Sequence, residues 1–89
     1  MNHEIVIYVK ESCPYCSRAK ELLDRKGISY TVVDITSDPD LAAVMIKKSG
    51  GRKTVPQIFI NDMCVGGFDD LNTLNENGKL DELLFLNNQ

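Results

Sequence analysis

Apolar residues follow a period of two at the start of the chain and then change to a helical period. In residues 4–9 both faces of the alternating run are apolar, which is typical of a central strand covered on both sides. Residues 14–26 follow, with Ala19, Leu22 and Leu23 on one side and charged residues on the other. This spacing predicts an amphipathic helix directly after the first strand.

The middle of the chain repeats this order of strand and helix. A β-branched run at residues 29–34 predicts a second strand. Asp38 and Pro39 then suit the N-cap and first position of a helix that continues to residue 48. Three apolar residues are expected to form the buried stripe of this helix: Leu41, Val44 and Met45.

The last third of the chain predicts a hairpin and two short helices. Residues 55–60 and 63–65 have strand composition, and Asn61 and Asp62 form the turn between them. Helical spacing returns from Phe68 and again after Gly78, so the predicted order is β-α-β-α-β-β-α-α. Parallel strands need a crossover helix, whereas the last pair closes as a hairpin. We therefore expect an α/β fold with a four-stranded mixed sheet flanked by helices on both faces.

Length and composition narrow the class of protein. A chain of 89 residues allows one domain, expected over residues 1–89, and its net charge of −3 argues against nucleic acid as a partner. No apolar run is long enough to span a bilayer, and the first residues lack a signal-peptide pattern. An odd number of cysteines, three, favours a reducing compartment. We expect a soluble, cytoplasmic monomer that binds neither nucleic acid nor membrane.

Two cysteines lie where the first strand changes to the first helix. Cys13 is in the N-cap position, and Pro14 suits the first helical position because its missing N–H would have had no partner. The free amides of the first turn and the helix dipole then favour the charged form of the Cys13 sulfur. Cys16 faces the same way but lies one turn deeper. The pattern predicts a nucleophilic thiolate at Cys13 and a resolving thiol at Cys16.

The helix dipole is not sufficient to activate Cys13 by itself. It contributes about 2 kcal/mol in favourable geometry, so a strongly activated thiolate also needs direct hydrogen bonds and a nearby cation. Lys10, at the end of the first strand, is the candidate cation. A solvated charge at a strand end is the alternative interpretation, and position alone does not separate the two.

Three segments together resemble the dithiol glutaredoxins of the thioredoxin superfamily, of the short bacterial type. They are the Cys-Pro-Tyr-Cys motif at residues 13–16 preceded by Lys10, Thr-Val-Pro at residues 54–56, and Gly-Gly-Phe-Asp-Asp at residues 66–70. The resemblance implies a thioredoxin fold and the glutathione-dependent reduction of protein disulfides and protein–glutathione mixed disulfides. Glutathione would be a co-substrate, with no bound cofactor and no metal.

The resemblance also implies where glutathione binds. Pro56 is expected to follow a cis peptide bond, which turns the Val55 backbone towards an extended substrate; without the motif, Pro56 would be expected to begin an edge strand. Helix amides after Gly67 would hold the γ-glutamyl carboxylate, and Asp69 would receive the ammonium, although Asp69 and Asp70 also fit favourable helix-start charges. Eight residues are implied to contact glutathione: Lys10, Tyr15, Thr54, Val55, Pro56, Gly67, Phe68 and Asp69.

The chain departs from the family pattern at several positions. Residues 41–44 contain no Arg or Gln, which many relatives use to bind the glycine carboxylate of glutathione. Arg52 and Lys53 are the candidates to replace it. Phe68 occupies a position where relatives often have a small or polar residue. Cys64 lies outside the motifs and is expected to be a small buried hydrophobe.

Two other functions compete with the glutaredoxin interpretation. The first is a metal or iron–sulfur binding module. A tetrahedral zinc site needs four ligands, and the candidates Cys13, Cys16, Cys64 and His3 have a spacing that resembles no zinc pattern. Glutaredoxins that hold an iron–sulfur cluster between two subunits usually lack a proline after the first cysteine, whereas Pro14 is present here. The second alternative is a glutaredoxin-like protein with the same dithiol that is reduced by thioredoxin reductase and not by glutathione. The Thr-Val-Pro and Gly-Gly-Phe-Asp segments, which resemble glutathione-binding motifs, favour glutathione as the reductant.

Overall fold

The computed structural model describes residues 4–85, so the candidate ligand His3 lies outside the described range. The predicted order of eight elements is confirmed, with ends that differ from the prediction by at most two residues. The elements are β1 Ile5–Val9, α1 Pro14–Arg25, β2 Thr31–Asp34, α2 Pro39–Lys48, β3 Gln57–Ile60, β4 Met63–Gly66, α3 Phe68–Glu76 and α4 Lys79–Phe85. Among these helices, none is long and apolar enough to cross a membrane.

The four strands form one mixed sheet in the order β2-β1-β3-β4. β1 is parallel to β2 and antiparallel to β3, and β3 and β4 form the hairpin. The predicted mixed sheet, with β1 as an interior strand, is confirmed. Because β3 is also an interior strand and starts at Gln57, the alternative that Pro56 begins an edge strand is wrong.

The sheet separates two hydrophobic cores, as the two apolar faces of β1 predicted. Ile5, Ile7 and Val9 pack with buried residues of α1, α3 and α4. Tyr8 points to the opposite face and packs with Ile35, Met45 and Phe59. The rings of Tyr8 and Phe59 meet edge to face, with 5.5 Å between centroids and 76° between planes, a favourable geometry for aromatic pairs.

Local signals define the turns and caps that connect these layers. The Asp38 carboxylate accepts a hydrogen bond from the Leu41 amide at 3.0 Å, so Asp38 is the N-cap of α2 as predicted. Asn61 and Asp62 have φ angles of 50° and 69°, which the mirror-image turn of a two-residue hairpin requires. Both predictions of local structure are confirmed.

The register of β1 and β3 determines which loops meet. Tyr8, near the end of β1, pairs with Gln57, the first residue of β3. Because the two strands are antiparallel, the loop that leaves β1 and the loop that enters β3 lie at the same end of the strands. Cys13 and Pro56 are therefore brought together although they are far apart in sequence.

The predicted buried stripe of α2 is only partly correct. Met45 is 1% exposed and Leu41 is half-buried, whereas Val44 is 41% exposed, so its assignment to the buried stripe was wrong. Ala42 and Ile46 pack against the core instead. The sheet thus meets the ridge formed by residues 41, 42, 45 and 46, and Val44 is rotated by about 100° from Met45 on a helix of 3.6 residues per turn.

Adjacent residues of α2 test this orientation. Met45→Ala should lower the free energy of unfolding by about 2–5 kcal/mol, because it leaves a cavity in the second core. Val44→Ala, the matched control on the exposed side, should change it by about 0.5 kcal/mol or less. Urea unfolding of the two variants and the parent measures both values. Equal losses would contradict this orientation of the helix.

Candidate active site

Cys13 caps the first helix with its sulfur. Its backbone is extended, at φ −107° and ψ 104°, and Pro14 occupies the first helical position. The Sγ atom accepts a hydrogen bond from the Cys16 amide at 3.2 Å. The predicted N-cap is therefore confirmed, with sulfur in the role that a side-chain oxygen usually has. A negative charge on this sulfur would be stabilised by that amide and by the positive end of the helix dipole.

The loop before β3 faces Cys13. The Val55–Pro56 peptide bond is cis, as the resemblance implied, and Pro56 is buried. The thiol of Cys13 lies 3.9 Å from the Val55 carbonyl oxygen, at which distance it donates a weak hydrogen bond. The backbone of Val55 thus lies directly beside the sulfur.

Cys16 occupies a different environment from Cys13 although the two belong to the same turn of α1. Cys13 is half-buried, whereas Cys16 is only 2% exposed and packs in the first core. Burial raises the pKa of Cys16 from 9.0 to about 11, and the hydrogen bond with Cys13 adds to this shift. At neutral pH Cys16 is therefore a neutral thiol.

A cavity of about 350 Å³, here called the proline-side cavity, lies next to the dithiol. Seven of the eight candidate glutathione contacts line it: Tyr15, Thr54, Val55, Pro56, Gly67, Phe68 and Asp69. Arg52, Gln57 and Asp70 complete its lining. The tertiary structure thus gathers side chains from three separate segments of the sequence at one surface.

The eighth candidate, Lys10, lies on the other side of Cys13. It lines a second cavity of about 520 Å³, here called the lysine-side cavity, together with both cysteines. Cys13 lies between the two cavities, because it lines the second while its sulfur contacts Val55 in the first. A substrate bound to Cys13 is therefore adjacent to both.

An ion pair spans the rim of the proline-side cavity. Arg52 Nη1 lies 3.2 Å from Asp70 Oδ2, and the same carboxylate oxygen accepts a hydrogen bond from the Gly67 amide at 3.0 Å. Asp70 thereby caps the start of α3, where Gly67 itself has no side chain. The sequence predicts Asp70 only as a favourable charge at the helix start and not as a cap, although an acidic residue three positions after a helix N-cap is a known capping signal.

Gly66 lies beneath this ion pair. Its φ angle is +115°, and a Cβ atom at this position would collide with the side chains of both Asp70 and Arg52. The position needs glycine for its backbone conformation and also for the close approach of the two charged side chains.

An aromatic pair forms another wall of the cavity. The rings of Tyr15 and Phe68 are 6.2 Å apart between centroids and inclined by 32°. The guanidinium carbon of Arg18 lies 5.5 Å from the centroid of the Tyr15 ring, within range of a cation–π interaction. Tyr15 lines the proline-side cavity, and its side chain is 54% exposed. The bulky residue at position 68 therefore extends an aromatic surface, a contact the sequence did not reveal.

Gln57 connects the cavity to the edge strand β4. It is 1% exposed, and its amide nitrogen donates to the Thr54 hydroxyl at 3.2 Å. The Cys64 thiol approaches the Gln57 side-chain oxygen at 4.0 Å. Cys64 packs against the second core as expected but is only half-buried, because β4 is an edge strand.

Within residues 4–85, no three His, Cys, Asp or Glu side chains come close enough together to hold a metal ion. Cys13, Cys16 and Cys64 are free thiols, and Cys64 lines neither of the two cavities beside the dithiol.

Comparison with known sequences identifies close relatives. The family model described as Glutaredoxin matches residues 5–65, which include Cys13, Cys16 and the Thr-Val-Pro segment. Glutaredoxin 1 of Rickettsia typhi is 51% identical over 83 residues, covering 92% of this chain and 80% of the relative. Glutaredoxin 3 of Escherichia coli strain K12 is 51% identical over 80 residues, covering 90% and 95% respectively.

Solved structures show the same likeness. The solution structure of glutaredoxin from Brucella melitensis is 51% identical, with a TM-score of 0.79 and coverage of 91% of this chain and 87% of that one. The crystal structure of a buckwheat glutaredoxin–glutathione complex is 34% identical, with a TM-score of 0.82 and coverage of 92% and 76%. The thioredoxin fold that the resemblance implied is confirmed.

Two glycines with positive φ angles test the crowding at the cavity rim. Gly78→Ala should destabilise the protein by about 1–3 kcal/mol through its φ of +81° alone, because no atom lies near its Cβ position. Gly66→Ala should cost about 1 kcal/mol more, because the cap at Gly67 and its ion pair are displaced as well. Urea unfolding compares the two, and equal losses would show that the rim does not depend on the close approach.

Proposed function

The chain belongs to the glutaredoxin family of glutathione-dependent thiol–disulfide oxidoreductases, and we propose that Cys13 and Cys16 are the residues that perform its reaction. The main support is the contrast between the two thiols. The Cys13 sulfur caps a helix and is half-buried, whereas Cys16 is buried and its pKa is raised to about 11. One group suits nucleophilic attack on an incoming disulfide, and the other suits a later internal step.

Glutathionylated proteins would be reduced through Cys13 alone. Its thiolate attacks the glutathione sulfur, a bond forms between the two sulfurs, and the client protein leaves as a thiolate that takes up a proton. The thiolate of a second glutathione then attacks the Cys13 mixed disulfide. Oxidised glutathione leaves, and Cys13 is returned to its thiolate form.

Protein disulfides would need both cysteines. Attack by Cys13 leaves one client sulfur bound to Cys13 and the other as a free thiol. Cys16 then loses its proton, attacks the Cys13 sulfur and closes the Cys13–Cys16 disulfide. The client sulfur that was bound to Cys13 leaves and is protonated. Two glutathione molecules restore the dithiol, so glutathione is the co-substrate of both routes.

Glutathione is proposed to lie along the proline-side cavity with its sulfur at Cys13. The Val55 backbone would pair with the cysteinyl part, as in the addition of an extended strand. The free amides at the start of α3 would hold the γ-glutamyl carboxylate, and Asp69 would receive the ammonium. The rings of Tyr15 and Phe68 would flank the bound tripeptide.

The two cationic ends of the site have different proposed roles. Arg52 is paired with Asp70 at the start of α3, which is the end proposed for the γ-glutamyl group. Lys10 lies beyond Cys13 in the lysine-side cavity, so it is the better candidate to meet the glycine carboxylate. Lys53 lines neither of these two cavities.

Disulfide-containing and glutathionylated proteins are the proposed clients. An extended client segment would fit the exposed groove beside Val55 and Tyr15. We also propose a single domain that acts as a monomer in the cytoplasm, where its three free cysteines would remain reduced. Sedimentation of the reduced protein tests the monomer directly.

Serine variants test the roles of the two thiols. Cys16→Ser should retain reduction of protein–glutathione mixed disulfides but lose reduction of protein disulfides, because only the second route needs the internal step. Cys13→Ser should lose both activities. Cys64→Ser, the matched control, should retain both. Assays with a glutathionylated protein and a disulfide protein separate the routes, and equal loss of both activities in Cys16→Ser would refute these roles.

Adjacent cations on the loop before β3 test the binding model. Arg52→Ala should raise KM for glutathione-containing disulfides by up to about fivefold, since an exposed charge contributes about 1 kcal/mol or less. Lys53→Ala is the matched control and should change KM by less than about twofold. The effect of Arg52 should shrink at high ionic strength because salt screens exposed charges. A parent-like KM in Arg52→Ala at low salt would remove Arg52 from the site.

A further inference from the structure

The internal step needs a thiolate at Cys16, which is the least accessible of the three cysteines. Burial opposes its ionisation, as the pKa of about 11 shows. The lysine-side cavity reaches Cys16, and its charged lining residues are Lys10, Glu11, Lys20 and Asp34. A charge in this cavity is thus placed to act on the buried sulfur.

Lys20 is the cation of this cavity that α1 itself supplies. It follows Cys16 by four residues, so the two side chains lie on the same face of the helix. Lys20 is half-buried, whereas Arg18 and Arg25 on the same helix are exposed. Its positive charge lowers the pKa of Cys16, as the smallest of the effects on that thiol, and so acts against the larger effect of burial. A partly buried charge is screened less by solvent than an exposed one.

Of the groups that shift the pKa of Cys16, Cys13 changes its bonding during the reaction, whereas Lys20 does not. In the reduced protein, both the hydrogen bond and the charge of Cys13 raise the pKa of Cys16, while a hydrogen bond that the Lys10 backbone donates to the Cys16 sulfur lowers it. Once Cys13 is in a mixed disulfide, its sulfur has neither a thiol proton nor a negative charge. The hydrogen bond from the Lys10 backbone and the charge of Lys20 then act without that opposition.

Asp34 is the anion that faces Lys20 from β2. One of its oxygens accepts a hydrogen bond from the Thr36 amide at 2.8 Å. Hydrogen bonds from Thr36 lower the pKa of Asp34, and the charge of Lys20 lowers it by a smaller amount. Asp34 is therefore ionised at neutral pH. The Lys20 ammonium lies in a cavity that this carboxylate and Cys16 also line.

We propose that Lys20 is a positioning residue for the internal step, in which its ammonium stabilises the thiolate of Cys16 during the attack on the Cys13 mixed disulfide. The inference rests on the proposed roles of Cys13 and Cys16. The Cys16 proton passes to solvent, the Cys13–Cys16 bond forms, and the electron pair of the broken disulfide leaves with the departing sulfur, which takes up a proton. Lys20 keeps its own protons. Reduction of glutathionylated proteins, which bypasses Cys16, does not use this residue.

Rapid mixing with oxidised glutathione separates the two steps. Reduced protein first forms the Cys13–glutathione mixed disulfide and then closes the Cys13–Cys16 disulfide; acid quenching and mass measurement follow both species. Lys20→Ala should slow closure by about fivefold, the effect expected of a partly exposed charge, and leave the first step within about twofold of the parent. Lys20→Arg should restore closure. Arg25→Ala removes an exposed cation from the same helix and should change neither step.

The pH dependence of closure distinguishes an electrostatic role from a structural one. Loss of the positive charge should move the inflection of the closure rate to higher pH in Lys20→Ala, and Lys20→Arg should bring it back. An unchanged closure rate in Lys20→Ala would overturn the inference. The inference would also be overturned if Lys20→Ala and Lys20→Arg slowed both steps equally and left the inflection of the closure rate at the same pH. Failure of the parent to form any mixed disulfide would instead refute the proposed role of Cys13.

Discussion

The antiparallel pairing of β1 with β3 is the constraint on which the site depends. It places the end of β1 beside the start of β3, with Tyr8 opposite Gln57. The helix that follows β1 must cross back to the parallel strand β2, so α1 begins at this same edge of the sheet. The N-terminus of α1 and the cis Val55–Pro56 bond consequently meet there. A slip of one residue in this register would turn the core side chains to the wrong face.

The difference between the two thiols follows from this arrangement. Cys13 follows the end of β1, where its sulfur accepts a hydrogen bond from a backbone amide and where it lines the lysine-side cavity. Cys16 is one turn further along, where α1 has already packed against the first core. One short motif therefore contains a half-buried sulfur at a helix terminus and a buried neutral thiol. The reaction sequence proposed for the protein uses these two environments in turn.

The contacts at the rim of the proline-side cavity depend on one another. Asp70 caps α3 and pairs with Arg52, and both contacts require the absence of a side chain at Gly66. Phe68 adds an aromatic contact with Tyr15. A charged cap and an aromatic wall thus border the same end of the site. Substitutions here are expected to affect substrate binding and stability together, because the same atoms serve both.

The sequence by itself determined the order of elements, the Cys13 cap and the hairpin turn at Asn61 and Asp62. Each of these depends on side chains and backbone conformations within a few residues, where periodicity, capping and φ preferences act. The family motifs also indicated the residues that line the proline-side cavity.

Only the tertiary structure decided that Val44 is exposed, that Arg52 pairs with Asp70, and that Lys20 lies in the cavity that reaches Cys16. These facts depend on which faces of distant elements meet. Helical spacing indicates that a helix has a buried side, but the sheet it packs against selects the residues on that side. Likewise, the charge of a lysine acts appreciably on a buried thiol only where the fold brings the two groups close together.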